Sequence, residues 1–169
     1  MDKKINIDKW SAGYWFIKNI LTKPAHLLYY RKVVIRNAHR IPGGEAVILA
    51  PNHQNALMDA MALVLHLNFQ SIFLTRADVF KHPVIRRILI FLKMLPIYRI
   101  RDGRENMKKN DEIFSICNQI LLNKRSPICI FPEGNHGDKR RLRPLKHGVF
   151  QIAFRAQESY GNRPGVKIV

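Results

Sequence analysis

The segment AVILAPNHQNALMDAMALVLHL, Ala46 to Leu67, passes from a short apolar run through a proline and two asparagines into a longer stretch rich in leucine, alanine and methionine. Val47 to Ala50 reads as a buried strand, and Ala56 to Leu67 has the length and composition of a helix. A strand that leads at once into a helix is the unit from which α/β sheets are built. Between Ile48 and Leu63 the ionisable groups are His53 and Asp59, with no lysine or arginine beside them. Residues six places apart on a regular helix lie about 240° around and about 9 Å along the axis, so the two side chains could not meet there. They can meet if His53 sits in the turn, Asn52 or Asn55 caps the helix, and Asp59 points back from its first turns.

The same alternation extends in both directions. Upstream, KVVIRNAHRIPGGEAVILAPNH carries two β-branched runs around a Pro-Gly-Gly turn, which predicts two strands joined by a tight connection. Downstream, SIFLTRA (Ser71 to Ala77) reads as a strand, Pro83 to Met94 as a basic helix, LPIYRI as a short strand and Asn106 to Leu122 as an amphipathic helix. SPICIFPEG is an apolar strand ending in a turn, and Gly148 to Glu158 is helical again. These elements predict an α/β fold, a mixed and largely parallel sheet flanked by helices, over residues 33–169. Residues 1–32 read as a separate amphipathic segment carrying Trp10, Tyr14, Trp15, Phe16, Ile20 and Leu21, interrupted by Pro24 and resumed to about Tyr30. The chain stops at GNRPGVKIV, in mid-strand by its pattern, which predicts truncation at the C-terminus.

Lysine and arginine outnumber acids 29 to 12, for a formal charge of +17. That excess favours polyanionic partners. In VIRRILIFLKMLPIYRIR (Val84 to Arg101) the cations interleave with aliphatic residues, a mixture suited to an anionic membrane surface. No apolar run approaches the roughly 20 residues of a spanning helix, so the expected location is peripheral, on the cytoplasmic face of a membrane. No helix-turn-helix, stacking platform or zinc spacing supports a nucleic-acid partner. The two cysteines, Cys117 and Cys129, each adjoin an isoleucine in an apolar stretch, so neither a disulfide nor a metal site is expected.

If Asp59 holds one imidazole nitrogen of His53, the other can take a proton, as in a histidine–aspartate base pair. No GxSxG turn supplies a nucleophile, which points to a hydroxyl on the substrate. In ICIFPEGNHGDKRRLRPLKHGVFQIAF, Pro132 and Gly134 predict a sharp turn presenting Glu133, followed by the cations Lys139, Arg140, Arg141, Arg143 and Lys146. NHQNALMD followed by FPEGNHGDKRRLRPLKHGVFQIA resembles the glycerophospholipid acyltransferase family, over about residues 35–169. LPIYR resembles that family's second block, with Arg99 as its arginine.

The resemblance implies an O-acyltransferase of phospholipid biosynthesis. An acyl group would move from acyl-CoA or acyl carrier protein, as co-substrate, to a hydroxyl of 1-acylglycerol 3-phosphate. It implies no metal and no bound cofactor. It gives His53 and Asp59 the catalytic roles, and Arg76, Arg99, Glu133, Gly134 and Lys146 the binding of the acceptor. His53 and Asp59 have five residues between them where the family commonly has four, as in a subgroup resembling glycerol-3-phosphate or dihydroxyacetone-phosphate acyltransferases, so those acceptors are the alternative. Arg76 stands where a lysine is usual. Asn135 and His136 replace the usual Thr-Arg, which moves the phosphate contact to Lys139, Arg140 or Lys146. The family's fourth block is absent from the sequence, which ends at KIV where its proline would come next. A non-catalytic basic membrane-binding module is the rival reading.

Overall fold

The computed structural model describes residues 7–99, 102–124, 126–134, 141–161 and 165–169. Five strands form its sheet: β1 (Val47–Leu49), β2 (Ile72–Arg76), β3 (Met94–Ile97), β4 (Ile128–Cys129) and β5 (Lys167–Ile168), in the spatial order β3-β2-β4-β1-β5. Every pairing is parallel, with Ile128 of β4 set between Ile48 and Ile72. The strands are apolar on both sides because both sides are covered. Alternate residues enter different clusters: Ile48, Ile72, Leu74 and Ile128 pack on one face, Val47, Leu49, Phe73 and Cys129 on the other.

Helix α3 (Ala56–His66) covers the second face through Ala60, Leu63 and Val64. The first face is covered by α6 (Lys109–Asn123), through Ile113, Phe114, Cys117, Ile120 and Leu121, and by α7 (Gly148–Tyr160), through Val149, Ile152 and Ala156. The chain therefore leaves β1 toward one face and its neighbour β4 toward the other. Their carboxyl ends therefore form a topological switch point, the place where parallel α/β sheets bind ligands.

The upstream β-branched run is not a strand. Residues 32–36 are irregular, Val34 and Ile35 are exposed, and a 3-10 turn (Ala38–Arg40) follows Asn37 in the left-handed region at φ 59°. Strand propensity needs a partner backbone, and β1 is already paired on both edges by β4 and β5. Pro24 does not interrupt the N-terminal helix either. Helix α1 (Ala12–Phe16) runs through a π turn (Ile17–Thr22) into α2 (Lys23–Tyr29) with right-handed backbone throughout, and Pro24 occupies the first turn of α2, where no amide donor is needed.

The basic helix α4 (Pro83–Phe91) ends earlier than its apolar pattern predicts, because Lys93 takes φ 61° and turns the chain into β3. The predicted helix 106–122 is two helices, α5 (Arg104–Met107) and α6, separated by one tightened turn in which the Asp111 amide donates to the Lys108 carbonyl at 3.2 Å.

The N-terminal segment is fastened to the amino edge of the sheet. The buried Lys93 ammonium donates to the carbonyls of Ile7 and Lys9, both at 2.7 Å, and the buried Lys18 ammonium donates to that of Leu67 at 2.6 Å. Ser11 and Gln70 exchange two hydrogen bonds of 3.0 Å. A cleft of about 470 Å³ with Trp10, Trp15 and Lys18 in its wall lies at this edge.

Candidate active site

The loop after β1 carries His53, and α3 begins three residues later at Ala56. Asn55 occupies the N-cap position without a side-chain cap. The cap comes instead from within the helix: Asp59 Oδ2 accepts from the amides of Gln54 (2.8 Å) and Asn55 (2.7 Å). The same oxygen lies 3.2 Å from His53 Nδ1. One carboxylate thus shapes the turn and engages the imidazole, which the sequence allows because His53 stands outside the helix and Asp59 one turn inside it. An ionised carboxylate only accepts, so Nδ1 carries the proton and Nε2 is the basic nitrogen.

Strand β4 supplies the opposite wall. The Phe131 ring stacks on the His53 ring, with centroids 4.0 Å apart and planes 24° from parallel. Glu133, 3% exposed, accepts the His53 amide on Oε1 at 3.0 Å. Its carboxylate therefore holds the histidine loop against β4, a contact between residues 80 places apart. Gly134 closes the turn, donating to the Phe131 carbonyl at 3.0 Å with φ 68°. A Cβ at Gly134 would approach Lys146 Cγ to 3.2 Å, and the Lys146 amide donates to the Pro132 carbonyl at 2.7 Å. Glycine is favoured there by its backbone angle, while the exposed lysine side chain would have to give by only a few tenths of an ångström.

Two arginines form a second group. Arg76 ends β2 and Arg99 lies just beyond β3, so both reach the carboxyl edge from adjacent strands. Arg76 Nε donates to Asp78 Oδ1 at 3.0 Å, and its Nη2 donates to Asp78 Oδ2. Arg99 donates to Asp102 from its backbone amide (2.8 Å), Nε (3.3 Å) and Nη2 (3.3 Å), while its buried Nη1 has no hydrogen-bond partner among the described residues. The hydrogen bonds from Arg76 and Arg99 hold the Asp78 and Asp102 carboxyls below their ordinary range, so both remain anionic at neutral pH. Asn110 of α6 steadies the preceding residue, exchanging hydrogen bonds of 2.9 and 2.8 Å with the Tyr98 backbone.

The contacts therefore gather His53, Asp59, Glu133, Gly134 and Lys146 at β1 and β4, and Arg76 with Arg99 at β2 and β3. With neighbouring strands spaced roughly 4.8 Å apart, the two groups lie side by side along one edge. Phe131, Asp78, Asp102 and Asn110 escaped the sequence reading. Asp78 and Asp102 follow their arginines by two and three residues, which is the one local signal that could have found them. Asn135, His136, Lys139 and Arg140 lie outside the described residues; Arg141 is exposed and Arg143 half-buried.

The cysteines take no part. They pack on opposite faces of the sheet, and burial pushes the Cys117 thiol up to about 12 and raises that of Cys129 as well. N-ethylmaleimide at pH 8 is expected to leave both unmodified in the folded protein and to label both after unfolding, read by intact mass.

A parallel sheet thus carries a paired imidazole and carboxylate at the carboxyl end of one strand, with guanidinium groups at the ends of two others. The chain belongs to the Acyltransferase family, whose model matches residues 32–169. It is similar to the 1-acyl-sn-glycerol-3-phosphate acyltransferase alpha of Mus musculus, 25% identical over 146 residues, which are 83% of this chain and 47% of that protein. A chloroplastic 1-acyl-sn-glycerol-3-phosphate acyltransferase of Brassica napus is 26% identical over 125 residues, 73% of this chain and 34% of its own length. The crystal structure of the 1-acyl-sn-glycerophosphate acyltransferase PlsC of Thermotoga maritima shares the fold, with a TM-score of 0.58, 19% identity and coverage of 85% of this chain and 54% of that one. The chain spans about half or less of the length of these relatives.

Proposed function

We propose that the protein transfers an acyl group from an acyl thioester, acyl-CoA or acyl carrier protein, to the free hydroxyl of 1-acylglycerol 3-phosphate. The observation that carries this reading is the 3.2 Å approach of His53 Nδ1 to Asp59, and the names of the relatives support the acceptor. His53 Nε2 takes the hydroxyl proton as the oxygen bonds to the thioester carbonyl carbon. The tetrahedral intermediate then expels the thiolate, which recovers that proton from the imidazolium. Asp59 keeps the ring in register and stabilises its charged form. Arg76, Arg99 and Lys146 meet the phosphate, and the Glu133–Gly134 turn sets the depth of the site. Residues 33–169 are the catalytic unit in this reading, and residues 1–32 its membrane-facing segment.

The proposed partner surface is an anionic bilayer at the cytoplasmic face of a membrane. Helix α4 buries no residue and exposes Val84, Ile85, Ile88 and Phe91 beside the exposed Arg86 and Arg87. Phe91 lies against Gly13, which joins this strip to α1, where Trp15 and Phe16 are exposed. Among the described residues no helix is long and apolar enough to cross a membrane.

One assay tests both parts. The complete protein, with phosphatidylglycerol-containing vesicles and one acyl-CoA, is expected to release free CoA with 1-acylglycerol 3-phosphate, more slowly with glycerol 3-phosphate, and to sediment with the vesicles. Ile88→Glu is expected to lower vesicle binding about 30-fold, since burying an isoleucine is worth about 2 kcal/mol and each 1.4 kcal/mol is tenfold. Vesicle binding without CoA release from either acceptor would leave the membrane-binding module as the correct reading.

A further inference from the structure

The two arginines are already partly neutralised. Two guanidinium groups at the ends of β2 and β3 face two carboxylates, Asp78 and Asp102. The two pairs are built differently. Asp102 takes the Arg99 backbone amide as well as its side chain, and that pair is largely covered, with side chains 20% and 18% exposed. Asp78 grips Arg76 fork to fork on the 3-10 turn Ala77–Phe80, and there the side chains are 47% and 32% exposed. Asp78 Oδ2 also lies 3.9 Å from Arg99 Nη2, so its carboxylate spans both guanidinium groups. An anion seated between Arg76 and Arg99 would occupy that same position.

We propose that Asp78 is a stand-in for the substrate's phosphate, holding Arg76 toward Arg99 until the substrate displaces it. The proposal rests on the acceptor reading above and adds what sets its selectivity. An exposed ion pair contributes only about 0–1 kcal/mol, so Asp78 yields readily to a stronger competitor. A phosphate monoester near neutral pH carries close to two charges and three terminal oxygens, enough to engage both forks at once. A phosphate diester carries one charge and two such oxygens, no advantage over the carboxylate already in place. Asp78 thus makes the site demand a monoester, as in 1-acylglycerol 3-phosphate, and reject diesters such as lysophosphatidylcholine. Asp102 has the opposite role of fixing Arg99.

The test is calorimetric binding of glycerol 3-phosphate and of glycerophosphocholine to the complete protein, which needs no turnover, alongside KM and kcat for the acyl acceptor. Asp78→Asn is expected to bind glycerol 3-phosphate about threefold to tenfold more tightly and to narrow the preference for the monoester, with KM falling accordingly. Asp78→Glu restores the preference by restoring the charge, and Asp102→Asn weakens binding. Tighter binding by Asp78→Asn in a protein that transfers no acyl group would uphold this inference and reject the acyltransferase reading. Weaker binding of glycerol 3-phosphate by folded Asp78→Asn, an unchanged monoester preference, or no binding by the parent protein would overturn it. Should Asp78→Asn not fold, Asp78→Ser gives the same reading.

Discussion

His53→Ala in the complete protein is expected to lower acyl transfer by roughly 10²- to 10⁴-fold, the range general-base catalysis supplies. The reason is positional as much as chemical. The ring is fixed from three sides: its Nδ1 by Asp59, its plane by Phe131 and its backbone by Glu133. Removing the imidazole leaves this frame in place without a proton acceptor, so the loss should fall on kcat while glycerol 3-phosphate still binds. Asp59→Asn separates the carboxylate's two tasks. The amide can offer Nδ1 a donor, which reverses the tautomer and places the proton on the catalytic nitrogen. It also weakens the caps on Gln54 and Asn55, so that variant should lose thermal stability as well, whereas His53→Ala should not. CoA release by His53→Ala at a rate near that of the parent protein would remove the mechanism.

Arg99→Ala is expected to raise KM for the phosphate-bearing acceptor about 10- to 100-fold. A hydrogen bond to a charged group contributes about 1.5–3 kcal/mol, and each 1.4 kcal/mol is tenfold in affinity. Arg99 Nη2 lies 3.9 Å from Asp78 Oδ2, the position the phosphate would take, and Nη1 has no partner among the described residues. Arg99→Lys should not restore binding, because a lysine cannot keep Nε and Nη2 on Asp102 while presenting another donor to substrate. Steady-state kinetics over a range of acceptor concentration gives the result directly. A KM unchanged in Arg99→Ala would move the phosphate site elsewhere, with Lys146 beside the Gly134 turn as the next candidate.

How far the chain could be read in advance follows from how local each feature is. The strand–turn–helix unit of residues 46–67 was legible because its period changes within a few residues, and the His53–Asp59 pair because both partners lie inside that unit. The run Lys32–Arg36 was misread because β-branched residues record a preference, while a strand also needs an unpaired neighbour. Pro24 was misread as a break because a widened turn upstream places it where a missing amide costs nothing.

The sequence by itself determined the buried strands, the helices between them, the contact of His53 with Asp59, and the strongly basic charge. Tertiary structure alone decided the order β3-β2-β4-β1-β5. That order puts Glu133 on the His53 amide and Asp78 between Arg76 and Arg99. Spacing along a chain specifies which groups one helix or turn can bring together. Which strand ends become neighbours depends instead on how the helices on both faces bury their apolar sides, a property of the packed whole.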